Sequence, residues 1–354
     1  MTKAELDSIK ILPLEDSWYR RVKEKLDGIA KPLDGLGKFE HLIAQIGAIE
    51  KTTKISIQKK AVLVMCADNG VVEEQVSQSG KEVTLAVAKA MGVNNSSVGK
   101  MAAVAGVDVI PVDIGIDTDE VIPGVLPRKV AKGTKNFAKE PAMTEEEVLK
   151  AIETGIQLVQ QCHRDGYEIL ATGEMGIGNT TTSTAVAAAL LDLEVEQVTG
   201  KGAGLTDEAL KRKCRVIEDA IEKYSLREAD AFTILKTVGG LDIAGLTGIF
   251  IGAAIEQIPV VIDGVISAVA ALLAETLCKG AVNYMIPSHK SRELAETAIM
   301  KKLHLDPVLD ADMALGEGTG AVMMMSLLDV ALGVYLKGAS FANFEIEQYK
   351  RYEE

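Results

Sequence analysis

Aromatic side chains are scarce in this sequence. They make up 4% of the 354 residues, with a single Trp, whereas 47% of the residues are hydrophobic. The core must therefore be built mainly from Ala, Val, Ile and Leu. A chain of this length and composition is sufficient for one large domain, or for one large and one small domain.

The sequence also contains few cysteines, and it has fewer basic than acidic residues. The four cysteines lie far apart in the chain and none forms a CxxC pair. This spacing excludes the usual zinc and disulfide frameworks and favours a reducing compartment. The formal net charge of −13 argues against non-specific binding to nucleic acid or to anionic membranes. It still allows a small anionic substrate, because a few local cations are sufficient to hold one.

Long apolar runs are lacking as well. The first residues, MTKAE, contain no apolar signal segment, and the stretches 246–255 and 265–273 are too short or too interrupted to cross a bilayer. We therefore expect a soluble, cytoplasmic protein that acts neither on nucleic acid nor at a membrane.

What the sequence does contain is a repeated order of apolar strand, turn with an acid and glycine, and helix. The candidate strands are residues 61–67, 107–112, 168–172, 259–262 and 309–315. This rhythm predicts an α/β protein with a Rossmann-like parallel sheet flanked by helices on both faces. Helical patterns at both chain ends predict a small helical domain of residues 1–59 and 321–354, beside an α/β domain of residues 60–320.

An acid follows each predicted strand. The carboxyl ends of parallel strands meet at one edge of a sheet, and ligands bind in the crevice outside that edge. The five acids are Asp68, Asp113, Glu174, Asp263 and Glu317. Taken alone, each acid is better explained as a helix cap. Five acids at one edge favour a functional site.

Two glycine-rich stretches each lead into a predicted helix. The first, residues 173–183 (GEMGIGNTTTS), has neither the GxGxxG order of dinucleotide sites nor the GK[ST] of a Walker A loop. Backbone N–H groups at such a helix start bind anions, so we expect a phosphate or carboxylate pocket. The second, residues 199–204 (TGKGAG), precedes a helix in which Lys213 belongs to a cationic cluster. That cluster is either a solvated helix face or the source of a lysine that reaches a phosphate.

Together the motifs resemble those of the nicotinate-nucleotide:dimethylbenzimidazole phosphoribosyltransferase family, over essentially the whole chain. The resemblance is carried by ADNGV at 67–71, KEVT at 81–84, EMGIGNTT at 174–181, VGG at 238–240, DG at 263–264, SHxSxE at 288–293 and LGEGTGA at 315–321. It implies transfer of phosphoribose from nicotinate mononucleotide to a small aromatic acceptor, with nicotinate leaving. The product would be an α-ribotide for cobamide synthesis, made without a cofactor or a metal.

The resemblance also implies residue roles. Glu317 would be the general base, and Glu174 and Glu317 would stabilise positive charge at the ribose C1′. The nucleotide would be held by Gly176, Asn179, Thr180, Gly202, Lys213, Asp263, Gly264 and Ser291. The acceptor would lie against Ser79, Val83, Val87, Met175 and Leu315.

One departure from the family pattern concerns the acceptor. Val87 stands where the family commonly has a Gln that would hydrogen-bond an azole nitrogen. Leaving a buried polar group without a partner costs about 1–3 kcal/mol, so an apolar residue here disfavours dimethylbenzimidazole. We therefore expect a relaxed or altered acceptor, such as phenol or p-cresol. A phenol-using branch of the family is a heterodimer, in which a chain with Glu317 would be the catalytic subunit; a homodimer and a heterodimer both stay open.

Two other functions are compatible with parts of the sequence. A Rossmann-type oxidoreductase fits the strand–helix rhythm, but no GxGxxG follows the first strand. A non-catalytic subunit that supports a related chain is the second, and the intact Glu174 and Glu317 argue against it.

Overall fold

The computed structural model describes residues 1–202 and 204–351. Ala203, which belongs to the second glycine-rich stretch, lies outside the described residues. So do Tyr352, Glu353 and Glu354 at the end of the predicted helical domain.

A six-stranded parallel sheet runs through the centre of the structure. Its strands are β1 (Lys60–Ala67), β2 (Val107–Gly115), β3 (Leu126–Pro127), β4 (Ile169–Met175), β5 (Val260–Ile262) and β6 (Met285–Pro287). Their spatial order is β3-β2-β1-β4-β5-β6, and every pairing is parallel. The predicted α/β class and Rossmann-like parallel sheet are confirmed.

Helices cover both faces of this sheet. They are α1 (Lys3–Ser8), α2 (Asp16–Asp27), α3 (Lys38–Ile49), α4 (Glu82–Gly92), α5 (Ser97–Ala105), α6 (Glu145–Arg164), α7 (Asn179–Leu191), α8 (Val195–Val198), α9 (Asp207–Lys223), α10 (Ala231–Val238), α11 (Leu241–Glu256), α12 (Val265–Leu277), α13 (Leu294–Leu303) and α14 (Thr319–Lys337). All eight residues of β1 are buried, as a central strand between two helical layers requires.

The strand predicted over residues 309–315 is wrong. That segment is a loop whose only strand-like contact is an isolated bridge between His289 and Leu309. The edge of the sheet is formed instead by β6, which the sequence analysis missed together with β3. Both strands are very short, so neither gives a readable apolar run.

Each face of the sheet has its own hydrophobic core. Along β1, Leu63 and Met65 pack with α6 and α11, whereas Val62 and Val64 pack with α3 and α14, because side chains alternate along a strand. The C-terminal segment meets α2 on the second face, where the guanidinium of Arg351 forms ion pairs with carboxylates of α2 and of the loop that follows it. The helix α1 instead packs against the first core. The separate helical domain stays a prediction.

The last long helix, α14, is apolar enough and long enough, by composition alone, to cross a membrane. More than half of its apolar window is buried inside the protein, with Met324 and Leu328 fully enclosed. Its first turn is capped by Asp263 at the end of β5, whose carboxylate accepts hydrogen bonds from Gly318 N at 3.2 Å and Ala321 N at 3.0 Å. We interpret α14 as a core helix anchored to the sheet edge.

Alanine substitutions at two glycines of α14 should have opposite effects on the stability of the protein. A Cβ on Gly320 would lie 2.0 Å from Nδ1 of His289, so Gly320→Ala should lower the melting temperature by several degrees. Gly333 has no described heavy atom within 4 Å of the added Cβ position, and alanine favours helix over glycine. Gly333→Ala should therefore stabilise the protein by about 0.5–1 kcal/mol. Thermal unfolding of both variants tests the packing at the start of α14, and an unchanged melting temperature for Gly320→Ala would contradict it.

Candidate active site

A cavity of about 240 Å³ opens at the carboxyl ends of β4, β5 and β6. Three of its walls are the segments that follow these strands, and the fourth is the loop that leads into α14. The lining consists of residues 174–180, 263–267 and 314–317, together with Ser77, Gly202, His289, Ser291 and Glu293. Its position matches the edge at which parallel α/β sheets bind ligands.

Most of the residues singled out from the sequence meet in this cavity. Those that line it are Glu174, Met175, Gly176, Asn179, Thr180, Gly202, Asp263, Gly264, Ser291, Leu315 and Glu317. Lys213, Ser79, Val83 and Val87 do not belong to the lining. The individual roles assigned to these residues stay predictions.

Glu317 is held in an unusual turn. Its φ of +60° lies in the left-handed region, between Gly316 at +83° and Gly318 at +90°. A non-glycine residue in this region costs on the order of 1–3 kcal/mol, and such residues cluster at functional sites. The turn places the Glu317 carboxylate in the cavity wall just before α14 begins.

The same carboxylate also contacts the start of α5. Its Oε2 accepts a hydrogen bond from Val98 N at 3.0 Å, in the first turn of that helix. The positive end of the helix dipole stabilises an anion at this position. Glu317 therefore connects the sheet edge to α5 and presents an oriented carboxylate to the cavity.

Glu174, the next-to-last residue of β4, forms part of a buried acid pair with Asp242. The Nδ2 atom of Asn179 donates to Oε2 of Glu174 and, at 3.1 Å, to Oδ2 of Asp242. Burial, and next the charge of Asp242, raise the pKa of Glu174 to about 8. Burial raises the pKa of Asp242 to about 6. Both shifts favour the protonated form of the pair over two carboxylates side by side.

Asp242 was missed by the sequence analysis. It follows the VGG stretch at 238–240 rather than a strand, so it lacks the strand-end pattern by which the other acids were predicted. The available signal was the pair of glycines directly before α11, which brings the first turn of that helix close to β4.

Lys213 lies behind the cavity rather than in it. Its side chain is fully buried in α9, and its Nζ donates to Oγ1 of Thr180 at 3.0 Å and to the carbonyl oxygen of Gly200 at 3.2 Å. Burial lowers the pKa of Lys213 to about 8, against the charge of Glu293, which raises it. This cation supports the glycine-rich end of the cavity through Thr180.

Asp263 and His289 line the cavity beside the first turn of α14. Asp263 caps the helix. Burial raises the pKa of Asp263, and the nearby His289 opposes this shift. The Nδ1 atom of His289 lies 3.0 Å from Oγ of Ser288. These contacts agree with an orienting or structural role for His289.

Two of the five strand-end acids do not reach the cavity. Asp68 accepts from Asp117 N at 2.8 Å, and Asp113 accepts from Ile116 N at 2.9 Å while pairing with Lys129 at 3.1 Å. Both acids therefore fasten the loop after β2. The expectation that all five acids share one site is wrong for these two, because the loop backbone offers them closer partners.

The residues assigned to the acceptor lie near the glycine-rich loop of residues 176–178. Thr84 Oγ1, on α4, accepts from Ile177 N at 3.1 Å, which places this face of α4 against that loop. Val87 is half-buried one turn further along α4 and packs against the second core. Ser79 and Val83 lie at the start of the same segment.

Among the described residues, one acidic group has carboxylates close enough to hold a metal ion: Asp27, Asp34 and Glu40. Glu40 pairs with Lys23 at 2.9 Å and Lys31 at 2.5 Å, and Arg351 pairs with both aspartates. These cations already neutralise the group, which lies on the face formed by the chain ends. We assign it a structural role.

Comparison with known proteins identifies the family. A family model described as phosphoribosyltransferase matches residues 11–346. The chain belongs to this phosphoribosyltransferase family. The resemblance drawn from the sequence motifs is therefore confirmed, and so is the prediction that the chain is a transferase.

Relatives of this phosphoribosyltransferase match it over nearly their whole length. Proteins from Acetivibrio thermocellus and Clostridium acetobutylicum are 45% and 43% identical, over 93% and 95% of this chain and 94% and 96% of their own. Both are named nicotinate-nucleotide–dimethylbenzimidazole phosphoribosyltransferase. The crystal structure of CobT from Thermus thermophilus superposes with a TM-score of 0.89 at 34% identity, covering 94% of this chain and all of that one.

The raised pKa of Glu174 predicts how the stability of this phosphoribosyltransferase depends on pH. The folded protein keeps the proton up to about pH 8, whereas an unfolded glutamate loses it near 4.3. The stabilising contribution is thus complete below about pH 4 and is lost as pH rises toward 8. Glu174→Gln should flatten the fall in melting temperature between pH 5 and pH 8, as followed by calorimetry.

Glu50 provides a matched control for this experiment. Burial raises its pKa to about 8 as well, but it lies beside Ser56 and away from the cavity. Glu50→Gln should flatten the same dependence without changing ligand binding. If Glu174→Gln and the wild type lose stability in parallel over this range, Glu174 is ionised in the folded protein.

Proposed function

We propose that this chain transfers the phosphoribosyl group of nicotinate mononucleotide to a small aromatic acceptor. Nicotinate leaves, and the α-ribotide serves as the lower-ligand nucleotide of a cobamide. The proposal is supported most directly by one cavity in which Glu174 and Glu317 lie beside the glycine-rich start of α7. The names of the relatives point to the same donor and to a dimethylbenzimidazole acceptor.

The two ends of the cavity suit the two ends of the donor. Gly176 and Gly202 leave backbone groups exposed beside Thr180, and Lys213 stands directly behind that threonine. A helix start of this kind binds a phosphate. Glu174 and Glu317 would then lie beside the positively charged pyridinium nitrogen and the ribose C1′.

The chemistry requires little covalent help from the protein. The pyridinium nitrogen is already a good leaving group, so the protein's task is to orient the reactants and to stabilise charge. Positive charge develops at C1′ in the transition state, and the carboxylates of Glu174 and Glu317 stabilise it. A single in-line displacement inverts the β-linked donor to the α-linked product. When the positively charged pyridinium nitrogen lies beside Glu174, it favours the ionised carboxylate, and the site releases a proton.

Glu317 takes the proton of the acceptor in this scheme. Its hydrogen bond to Val98 fixes the direction in which the carboxylate faces. With a phenol, whose pKa is about 10 against about 4.3 for a glutamate, the transfer occurs late, as the C–O bond forms, or through a water. With an azole the leaving proton is more acidic in the transition state, because the ring nitrogen becomes positive.

The acceptor preference is a finer part of the proposal. Val87 removes an amide partner for an azole nitrogen, and its helix packs through Thr84 on the glycine-rich loop of the cavity. We place phenol or p-cresol among the acceptors on this basis. We also place the reaction in the cytoplasm, with the chain acting as a homodimer or as the catalytic subunit of a heterodimer.

Product analysis tests the proposed function directly. The purified chain is incubated with nicotinate mononucleotide and with dimethylbenzimidazole, phenol or p-cresol in turn. Nicotinate release and ribotide formation are followed by chromatography and mass spectrometry. Ribotide with at least one acceptor supports the proposal, whereas no nicotinate release with any of them, alone or with a related subunit, contradicts it.

Glu317→Gln should lower kcat by about 10²–10⁴-fold while leaving the affinity for nicotinate mononucleotide nearly unchanged. Glutamine can still accept the hydrogen bond from Val98 N, so the α5 contact is kept and the base alone is lost. Glu317→Ala removes both and provides the comparison. Steady-state kinetics and a binding titration separate the two effects, and full turnover in Glu317→Gln would remove the proposed base.

Val87→Gln should raise the ratio of dimethylbenzimidazole to phenol use by about tenfold. The restored amide gives a buried azole nitrogen a partner, and such a bond is worth about 1 kcal/mol or more. Competition assays with both acceptors measure the ratio. Val93→Gln, an exposed position just beyond the same helix, is the control and should leave the ratio unchanged. An unchanged ratio for Val87→Gln would place the acceptor away from this face of α4.

A further inference from the structure

Asp242 lies just outside the cavity and is completely buried. Its Oδ1 accepts from Ile243 N at 3.0 Å, which fixes the carboxylate at the start of α11. Its Oδ2 accepts from Nδ2 of Asn179 at 3.1 Å. Asp242 is not part of the cavity lining, so it can act on a ligand only through a neighbour.

Asn179 is that neighbour, and its orientation is determined by two acids. Both amide N–H groups are committed, one to Glu174 and one to Asp242. In the structure the Glu174 and Asp242 oxygens both accept, and an amide donates only from its nitrogen, so the nitrogen faces the two acids and the oxygen faces away. Asn179 lines the cavity, and no hydrogen bond from the part of the chain that the structure describes reaches its Oδ1. That oxygen is available to accept a hydroxyl of a sugar.

We propose that Asp242 is a positioning residue, which holds the Asn179 amide so that its carbonyl oxygen accepts a ribose hydroxyl of the donor. This inference rests on the proposed function, since it assigns the ligand as a nucleotide. Without Asp242 one amide proton loses its partner, the side chain can rotate, and the ribose loses a fixed acceptor.

The neighbourhood of Asp242 supports this role. Asn69, just after β1, lies next to it and donates from Nδ2 to the carbonyl oxygen of Ile177 at 3.4 Å. The ends of β1 and β4 and the start of α11 therefore meet around one carboxylate. Such a buried and hydrogen-bonded network holds its members in a single arrangement.

Asp242 also affects the charge of Glu174. The groups that face Glu174 are Asp242 from α11, Asp263 from the end of β5, Glu317 from the loop before α14 and the neutral amide of Asn179. After burial, the negative charge of Asp242 is the largest cause of the raised pKa of Glu174. Asp242→Asn removes that charge but keeps an oxygen that can accept from Asn179. It should therefore lower the pKa of Glu174 and preserve the position of the amide.

A double-mutant cycle tests the inference. Titration calorimetry measures the binding of nicotinate mononucleotide to the wild type, Asp242→Ala, Asn179→Ala and the double variant. Asp242→Ala should weaken binding by about tenfold or more in the wild-type background. In the Asn179→Ala background it should change binding by no more than Asp242→Asn changes that of the wild type, because only its effect on the charge of Glu174 is left. Additive effects in the two backgrounds would overturn the inference.

Two further variants distinguish positioning from general loss of structure. Asp242→Asn should keep the donor affinity within about threefold and move the limb of the pH–rate profile that belongs to Glu174 to lower pH. If Asp242→Ala does not fold, Asp242→Asn alone tests the inference. An unchanged pH–rate profile of Asp242→Asn, or a loss of donor affinity as large as that of Asn179→Ala, overturns it. Asp113→Asn, a buried acid at the same sheet edge that only fastens a loop, should leave binding unchanged. A wild type that does not bind the nucleotide overturns the proposed function itself, whereas binding with additive effects overturns this inference alone.

Discussion

The crowding of four carboxyl groups at one sheet edge is the constraint on which the rest of the site depends. Glu174, Asp242, Asp263 and Glu317 lie together, and among the described residues that line the cavity there is no Lys or Arg. The fold offsets the repulsion with helix starts rather than with cations. Asp242 lies in the first turn of α11, Asp263 caps α14, and Glu317 accepts from the first turn of α5. These three acids therefore face the positive ends of helix dipoles.

Lys213, the one cation among the residues proposed to hold the nucleotide, does not line the cavity. The buried lysine of α9, Lys213, lies on the far side of Thr180, and it also donates to the backbone of the second glycine-rich stretch. A ligand with an anionic phosphate at one end and a positively charged pyridinium nitrogen at the other would complement both groups. We propose that a proton held by the buried acids reduces their mutual repulsion until that positive charge binds.

The sequence was sufficient to locate the site but not to assign each acid. Glu174 and Glu317 each follow an apolar run and have a glycine within the next two residues, so both their position at the sheet edge and their motif could be read directly. Asp68 and Asp113 show the same local pattern, yet their partners are backbone N–H groups of a loop whose path depends on tertiary packing. Asp242 comes from a helix start that approaches β4 only in the folded chain. The short edge strands β3 and β6 give too few residues for any periodicity to show. The segment 309–315 (LDADMAL) has apolar residues at every second position and so predicts a strand, although it forms a loop.

The protons exchanged when nicotinate mononucleotide binds test the charge of the buried acids most directly. Titration calorimetry at pH 7 in two buffers with different ionisation enthalpies gives this number for the wild type and for Glu174→Gln. Phosphate and Lys213 contribute equally to both proteins, so the difference between them isolates Glu174. We expect the wild type to release close to one proton more than Glu174→Gln, because the cationic ring converts a protonated Glu174 into a carboxylate. Equal proton exchange in the two proteins would contradict the claim that the buried acids receive the positive charge of the donor.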